Sequence, residues 1–296
     1  MGLTDDTLPG FVQLTGNPRL AWDAYRRLVA GYGEVVAGID SACFEADLRT
    51  ITGKAEEREF DFAELRALTR LHLATYAREA GQPFPQDPQV QLEAAIDAVF
   101  ASWNSAKAQA YRRMHDLSST LGTAVTVQQM VFGNAGGMSG AGVGFTRNPS
   151  TGEPSPWVDF LFNAQGEDVV GGRRSAAGHE ELAAVAPRVW ESLSGIADRL
   201  EHAFGDMQDF EFTVLDGRLY LLQTRSGKRT PQAAARIALD LHDAGVISKD
   251  TARERTVGLD AKRLAQRTVV ARDGKALAPL TRATSAATGS RAAKSC

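Results

Sequence analysis

Cysteine is nearly absent from this 296-residue chain: Cys43 and Cys296 are the only two, which excludes a disulfide framework and suits a reducing compartment. Long apolar runs are missing too. No stretch approaches the roughly 20 residues that span a bilayer, and the opening MGLTDDTLPGF has neither the basic region nor the apolar core of a signal peptide. The expectation is therefore a cytoplasmic location with no membrane partner. Net charge is also small, at -3, but it hides an asymmetry. From Lys249 to Cys296 eleven Lys or Arg face four Asp or Glu, so a segment of +7 follows a body of -10. That basic segment has no aromatic residue to stack on bases, which argues against nucleic acid as a partner. Residues 249–296 read as a linker or disordered tail, ending in the small, polar, aperiodic TRATSAATGSRAAKSC.

What is present is ordinary globular material, 43% hydrophobic and 23% charged, in a chain long enough for about two domains. The first part reads as helical. Asn17–Tyr32 carries Leu20, Trp22, Tyr25, Leu28 and Val29 at helical spacing, Phe62–Glu79 is a second helix, and a third starts near Pro88 after the breaker-rich GQPFPQDPQ. A further helix surrounds Arg112–Met114. At Leu121 the texture changes: TAVTVQQMVF, residues 123–132, is rich in strand formers and runs into GNAGGMSGAGVGFTRNPSTGE. Ten of the 28 glycines lie between Gly133 and Gly172. Glycine at that density suits a phosphate-cradling loop or a flexible turn between strands, although the lysine of a P-loop is missing. WVDFLFNAQ reads as a strand. Leu182, Val185, Val189, Leu193, Ile196 and Leu200 then outline one long helix.

DFEFTV and RLYLLQTR flank Asp216-Gly217, a strong signal for a two-residue hairpin. Alternation puts Asp209 and Glu211 on one face and Phe210 and Phe212 on the other. Two carboxylates one strand period apart suit Mg²⁺, which takes hard oxygen ligands and keeps positions open for water or phosphate. Arg225 offers a donor fork for phosphate, and Gln223 an amide to orient phosphate or metal-bound water. An ideal turn, however, pairs Glu211 with Leu222 and sends Gln223 to the opposite face. A bulge would restore convergence; without one the group is an ordinary solvated sheet face.

VTVQQMVFGN, SGAGVGFTRNPSTGE, NAQGEDVV, DFEFTV and LYLLQTRSGKRT together closely resemble the nucleotide-binding region of the pyruvate, phosphate dikinase family. The resemblance extends through NPRLAWDAYRRLVAGYGEVV and VFASWNSAKAQAYRRMHDLSSTLG, over about residues 3–255. It implies an α+β chain with a partial ATP-grasp nucleotide-binding fold and an inserted all-helical subdomain. The expected division is 1–90 helical, 91–248 ATP-grasp-type and 249–296 basic tail. It also implies ATP and Mg²⁺ as cofactors. Gln129, Met130 and Val131 would form the adenine hinge, and a glycine loop from Gly133 to Gly144, including Gly140 and Gly142, would cover the phosphates. Glu167 would lie on the ribose or hinge side. Asp209, Glu211, Gln223 and Arg225 would hold nucleotide, with Asp209, Glu211 and Gln223 at the metal and Arg225 and Glu211 catalytic.

In that family ATP phosphorylates a mobile histidine, phosphate enters the nucleotide half-reaction, and the histidine passes its phosphate to pyruvate; the sum is ATP, pyruvate and phosphate to AMP, phosphoenolpyruvate and diphosphate. The chain departs from the pattern in several places. Gly137 and Met138 stand where an acidic pair is usual. The family's lysine-bearing start, its phosphohistidine motif and its pyruvate-binding barrel have no counterpart, and His72, His115, His179, His202 and His242 lie in other contexts. The expected partners are therefore those missing domains, in cis or trans, small-molecule substrates and a second copy in a homodimer. Alternatives are a non-catalytic regulatory or interaction protein that kept the fold, or a related ATP-dependent phosphotransferase with another acceptor.

Overall fold

The computed structural model describes residues 1–51, 59–170, 177–259 and 264. They divide into two compact units, Met1–Met130 and Val131–Cys296. The first unit is helical: α1 (Leu8–Thr15), α2 (Pro18–Val35), α3 (Ser41–Ile51), α4 (Phe62–Ala80), α5 (Pro88–Ser102) and α6 (Ala106–Met114). Local chemistry sets the boundaries. Asn17 accepts from the Leu20 amide ahead of Pro18, and Asp61 and Glu64 form a reciprocal capping box at the start of α4. Gly16 and Gly81 close α1 and α4 in the left-handed conformation.

The breaker-rich segment between α4 and α5 does more than end a helix, because Phe84 is buried against Tyr32 and Tyr76 with ring centroids 5.3 Å from each. The unit also runs past the expected boundary at residue 90. The side chain of Gln91, fully buried in α5, donates to the Leu3 and Pro85 carbonyls at 3.1 and 2.8 Å and accepts from the Gly2 amide at 2.9 Å. These bonds tie α5 to the first residues of the chain.

The second unit is built on a sheet of order β3-β2-β1-β4-β5, all antiparallel. Its strands are β1 (Gly140–Phe145), β2 (Trp157–Phe162), the two-residue β3 (Ala177–Gly178), β4 (Gln208–Leu215) and β5 (Arg218–Ser226). Helices α7 (Gly166–Val170), α8 (His179–Val185), α9 (Pro187–Phe204), α10 (Pro231–Asp243) and α11 (Lys249–Thr256) complete it. Helices and an antiparallel sheet in one chain make the class α+β.

Three sequence expectations need correction. The long helix through residues 182–200 is two helices, because Pro187 lacks an N–H and forces Ala186 out of helical geometry, at φ -131° and ψ 64°. The segment 123–132 forms neither helix nor strand and has no ladder partner among the described residues, so strand-forming composition alone did not make a strand. The basic segment begins as a helix: α11 starts at a Ser248 cap and buries Ala252, while residues 260–296, except 264, lie outside the described residues.

Packing inside the sheet unit depends on β1. Phe160, Phe210, Phe212, Val158 and Val214 form one sheet face and bury Leu182 of α8 with Val189, Leu193 and Leu200 of α9. On that same face β1 contributes only Gly140, Gly142 and Gly144. A Cβ on Gly142 would stand 2.6 Å from Phe212 Cε1, and one on Gly140 2.8 Å from Phe160 Cε1. The rings thus lie directly over the bare backbone of the central strand. Gly142→Ala is expected to cost about 1–3 kcal/mol through overpacking, read as a lower urea midpoint with unchanged m.

Candidate functional site

The other sheet face carries the polar residues. The hairpin turn is as the sequence implies: Asp216 and Gly217 have φ of 49° and 77°, and Leu215 pairs with Arg218. The ideal register does not continue. Between Glu211 and Phe212 it shifts, so that Phe212 pairs with Leu221, Glu211 with Gln223 and Asp209 with Arg225, leaving Leu222 as the extra residue of a bulge. Four of the expected site residues are brought together by that one insertion. Gln223 Nε2 donates to Glu211 Oε1 at 2.8 Å, and Arg225 Nε donates to Asp209 Oδ2 at 2.8 Å.

These contacts are open to solvent on one side. The Arg225 side chain is 65% exposed while Asp209 is 17% exposed. Such a pair contributes only about 0–1 kcal/mol to stability, so it is poorly explained as a device for holding the fold. The bond to Asp209 and its negative charge nevertheless hold the Arg225 guanidinium above its ordinary pKa. Each carboxylate uses one oxygen in these bonds, and the Gln223 carboxamide oxygen faces no donor among the described residues.

Cross-strand register extends the polar face beyond the hairpin. Glu211 lies opposite Val143 of β1, and Val143 opposite Asp159 of β2; in the next row Asp209, Phe145 and Trp157 align. Asp159 went unnoticed in the sequence, yet its signal was there, since Val158, Phe160 and Phe162 alternate with it in WVDFLF and face the aromatic core. Burial pushes the Asp159 carboxyl above its usual value of 3.8.

The glycine-rich segment divides in two. Gly140 and Gly142 belong to β1 and face the phenylalanine core, on the side away from the carboxylates, so the loop expected to run to Gly144 ends at Ser139. What remains is a short loop pinned at both sides. Gly133 accepts from the Ala164 amide at 3.1 Å, Met138 accepts from the Gly217 amide at 3.0 Å, and Ser139 Oγ accepts from the Asp216 amide at 3.0 Å. A Cβ at Gly133 would meet the Gly140 carbonyl oxygen at 2.6 Å, which explains glycine there by close backbone approach. The loop therefore sits by the hairpin tip, about 13 Å along β4 from Glu211 at strand spacing.

Glu167 is in α7 and belongs with that loop, because Gln165 just before α7 donates to Asn134 Oδ1 at 3.1 Å. Gln129 and Met130 close the helical unit as exposed chain outside any helix or strand, and Val131 opens the sheet unit. The motif arginine Arg147 proves structural. It is 7% exposed, donates through Nε to both Glu201 oxygens at 2.9 Å and reaches Asp240 at 2.8 Å, joining the end of β1 to α9 and α10. Of the histidines, His72 is buried beside Phe44, and His115 and His202 are exposed.

The family model for "Pyruvate phosphate dikinase, AMP/ATP-binding domain" matches residues 37–179 and 177–245. The chain belongs to this family. It is 45% identical over 274 residues to a pyruvate, phosphate dikinase of Clostridium symbiosum, covering 90% of this chain and 30% of the relative. With the dikinase of Giardia intestinalis it shares 43% identity over 260 residues, and with a chloroplastic dikinase of Arabidopsis thaliana 42% over 255 residues. Each covers 85% of this chain, and 29% and 26% of those relatives. The chain thus spans about 30% of the length of the dikinases it matches. Among the described residues no helix is long and apolar enough to cross a membrane.

Two outcomes test the geometry of this polar sheet face. Deleting Leu222 removes the bulge and leaves Gln223 opposite Glu211 and Arg225 opposite Asp209 in a regular ladder, so the nuclear Overhauser contact between the Gln223 carboxamide and Glu211 should persist. Asp159 has its pKa raised in the fold, so ionisation burdens the folded state above that raised value and costs nothing below about 3.8. Asp159→Asn should therefore stabilise the chain at neutral pH and lose that advantage when urea unfolding is repeated near pH 3.

Proposed function

We propose that the sheet unit is the ATP- and Mg²⁺-binding part of a dikinase-type phosphotransferase with an ATP-grasp fold, and that Asp209, Glu211, Gln223 and Arg225 form its phosphate and metal end. The observation that carries this reading is the bulge at Leu222, which aligns a carboxylate–amide pair and a carboxylate–guanidinium pair on one exposed face. A solvated structural face has no need of an inserted residue to produce that alignment.

The donor chemistry fits Mg²⁺. Asp209, Glu211 and the carboxamide oxygen of Gln223 are hard oxygen ligands, and the residues leave space for water and phosphate oxygens, as that ion requires. Among the described residues no group of three or more His, Cys, Asp or Glu could hold a metal. When bound, Mg²⁺ would neutralise charge on the phosphate chain and help align it for transfer. Gln223 restrains Glu211 by hydrogen bonding to one of its oxygens. Arg225 is the fixed positive charge for an oxygen of the transferred group, and Asp209 aims its guanidinium from below.

Gln129, Met130 and Val131 are proposed for the adenine, where exposed backbone amides and carbonyls suit base-edge hydrogen bonds. Gly133 and its loop are proposed to approach the nucleotide, and Glu167 the ribose. The complete cycle, from ATP, pyruvate and phosphate to AMP, phosphoenolpyruvate and diphosphate, would require phosphohistidine and pyruvate-binding domains in cis or in trans. The relatives' greater length supports that requirement.

Calorimetry with ATP and Mg²⁺ on the intact chain, and on Glu211→Gln and Arg225→Ala, tests the reading. Loss of one charge-assisted contact is expected to weaken binding about tenfold or more in each variant. Absence of binding heat in the wild type rejects autonomous ATP binding. Equal affinity in both variants rejects the placement of the phosphate end.

A further inference from the structure

The motif residues that follow Arg225 have no part in the phosphate end as described, yet they meet the strands that carry it. β5 is an edge strand held only by β4, and the bulge leaves just four pairs beyond it, from Glu211 with Gln223 to Gln208 with Ser226. A short ladder end bonded on one side is prone to fray. Gln223 and Arg225 both lie in that end. The Arg225 side chain is 65% exposed, so its bond to Asp209 and the backbone beneath it set where the guanidinium lies.

The other side of the same end is tied down by side chains. Thr224 Oγ1 donates to Gln208 Oε1 at 3.2 Å and to the Asp209 carbonyl at 3.3 Å. Gln208 is 3% exposed and held from two directions: its Nε2 donates to the Asp206 and Met207 carbonyls, both at 3.2 Å, and its backbone N–H donates to Thr146 Oγ1 at 3.1 Å. Thr146 Oγ1 in turn donates to buried Glu201 of α9 at 2.8 Å. The chain leaving β5 meets the same short stretch. The Gly227 amide donates to the Met207 carbonyl at 3.1 Å, and the two terminal nitrogens of Arg229 donate to the two Asp206 oxygens, each at 2.6 Å. Residues 206–208 thus hold Thr224, Gly227 and Arg229.

We propose that Gln208, Thr224 and the Asp206–Arg229 pair are positioning residues, which fix the end of β5 against β4 so that Gln223 and Arg225 present their donors at one place on the carboxylate face. This rests on the phosphate-end reading and adds what holds that end in place. Thr224 and Gln208 alternate with Arg225 and Asp209, so they lie on the α9 side of the sheet and act through the backbone. Misplacing a binding group by about 1 Å is enough to forfeit much of its effect.

Thr224→Val removes the hydroxyl and keeps a β-branched side chain suited to a strand, while Thr224→Ser keeps the hydroxyl. The first readout needs no nucleotide. The Arg225 Nε–H resonance, identified by its loss in Arg225→Ala, should exchange with water several-fold faster in Thr224→Val and at the wild-type rate in Thr224→Ser, with the far-ultraviolet circular dichroism of both unchanged. The second is calorimetry with ATP and Mg²⁺. Thr224→Val should raise the dissociation constant about three- to tenfold, and Thr224→Ser should bring it back. Arg229→Lys keeps the charge and loses the two-pronged bond, so it should move both readouts in the direction of Thr224→Val.

Wild-type exchange in both Thr224→Val and Arg229→Lys overturns the proposal. So does a Thr224→Ser variant as impaired as Thr224→Val, or faster exchange of Arg225 with no change in affinity. Absence of binding heat in the wild type rejects autonomous ATP binding instead, and the exchange rates alone then decide whether these residues hold Arg225.

Discussion

Phenylalanine rings lying on bare glycine backbone organise the sheet unit. Because β1 presents Gly140, Gly142 and Gly144 to the side where Phe160, Phe210 and Phe212 are buried, the central strand fills no volume of its own there. The aromatic side chains of β2 and β4 occupy that volume and meet α8 and α9 above it. Side chains alternate, so the same strand gives Ala141, Val143 and Phe145 to the opposite face, between the carboxylate of β2 and those of β4. Core and candidate site are thus two sides of one constraint. The glycines that resemble a phosphate loop in the sequence serve the core, and only the shorter loop before Ser139 remains beside the hairpin tip.

The second determinant is the extra residue in β5. An antiparallel hairpin with a two-residue turn has a fixed register, and a one-residue slip moves every side chain to the other face. Leu222 absorbs such a slip between Glu211 and Phe212, leaving Phe212 and Val214 in the core while Gln223 and Arg225 turn toward Glu211 and Asp209. Bulges recur beside functional sites because they re-aim side chains without disturbing the rest of the ladder. Arg147 makes a buried ion pair with Glu201 and reaches the partly exposed Asp240, which fixes α9 and α10 at the end of β1. The long FTRNPSTGE motif therefore contributes a structural tie, while the residues proposed for phosphate and metal lie on the hairpin.

Much of this was legible in residues alone. Periodicity located α2, α4, α5, β2, β4 and β5, since Asn17-Pro18, Asp61 with Glu64, and Asp87-Pro88 announce helix starts by chemistry that acts over three or four residues. Asp216-Gly217 announced the turn for the same reason. The failures were of another kind. Leu182 to Leu200 kept a continuous helical pattern across Pro187, so the apolar spacing concealed the break. Residues 123–132 have the composition of a strand, but a ladder is a property of two segments, and no described segment pairs with this one. Asp159 stands in a clear alternation, yet its place in the row with Glu211 depends on β1 lying between β2 and β4.

Sequence by itself determined the family, through long motifs whose chemistry is unusual enough to be recognised without a fold, and it determined which residues carry carboxylate, amide and guanidinium. It also determined most helix starts and the hairpin turn, because those depend on neighbours within a few positions. Tertiary structure alone decided which of the candidates share a face. That outcome rests on ladder register across strands far apart in the chain and on which side of β1 the aromatic rings fill. Such constraints are non-local: moving one residue into a bulge, or turning one glycine toward the core, changes the partners of every side chain that follows.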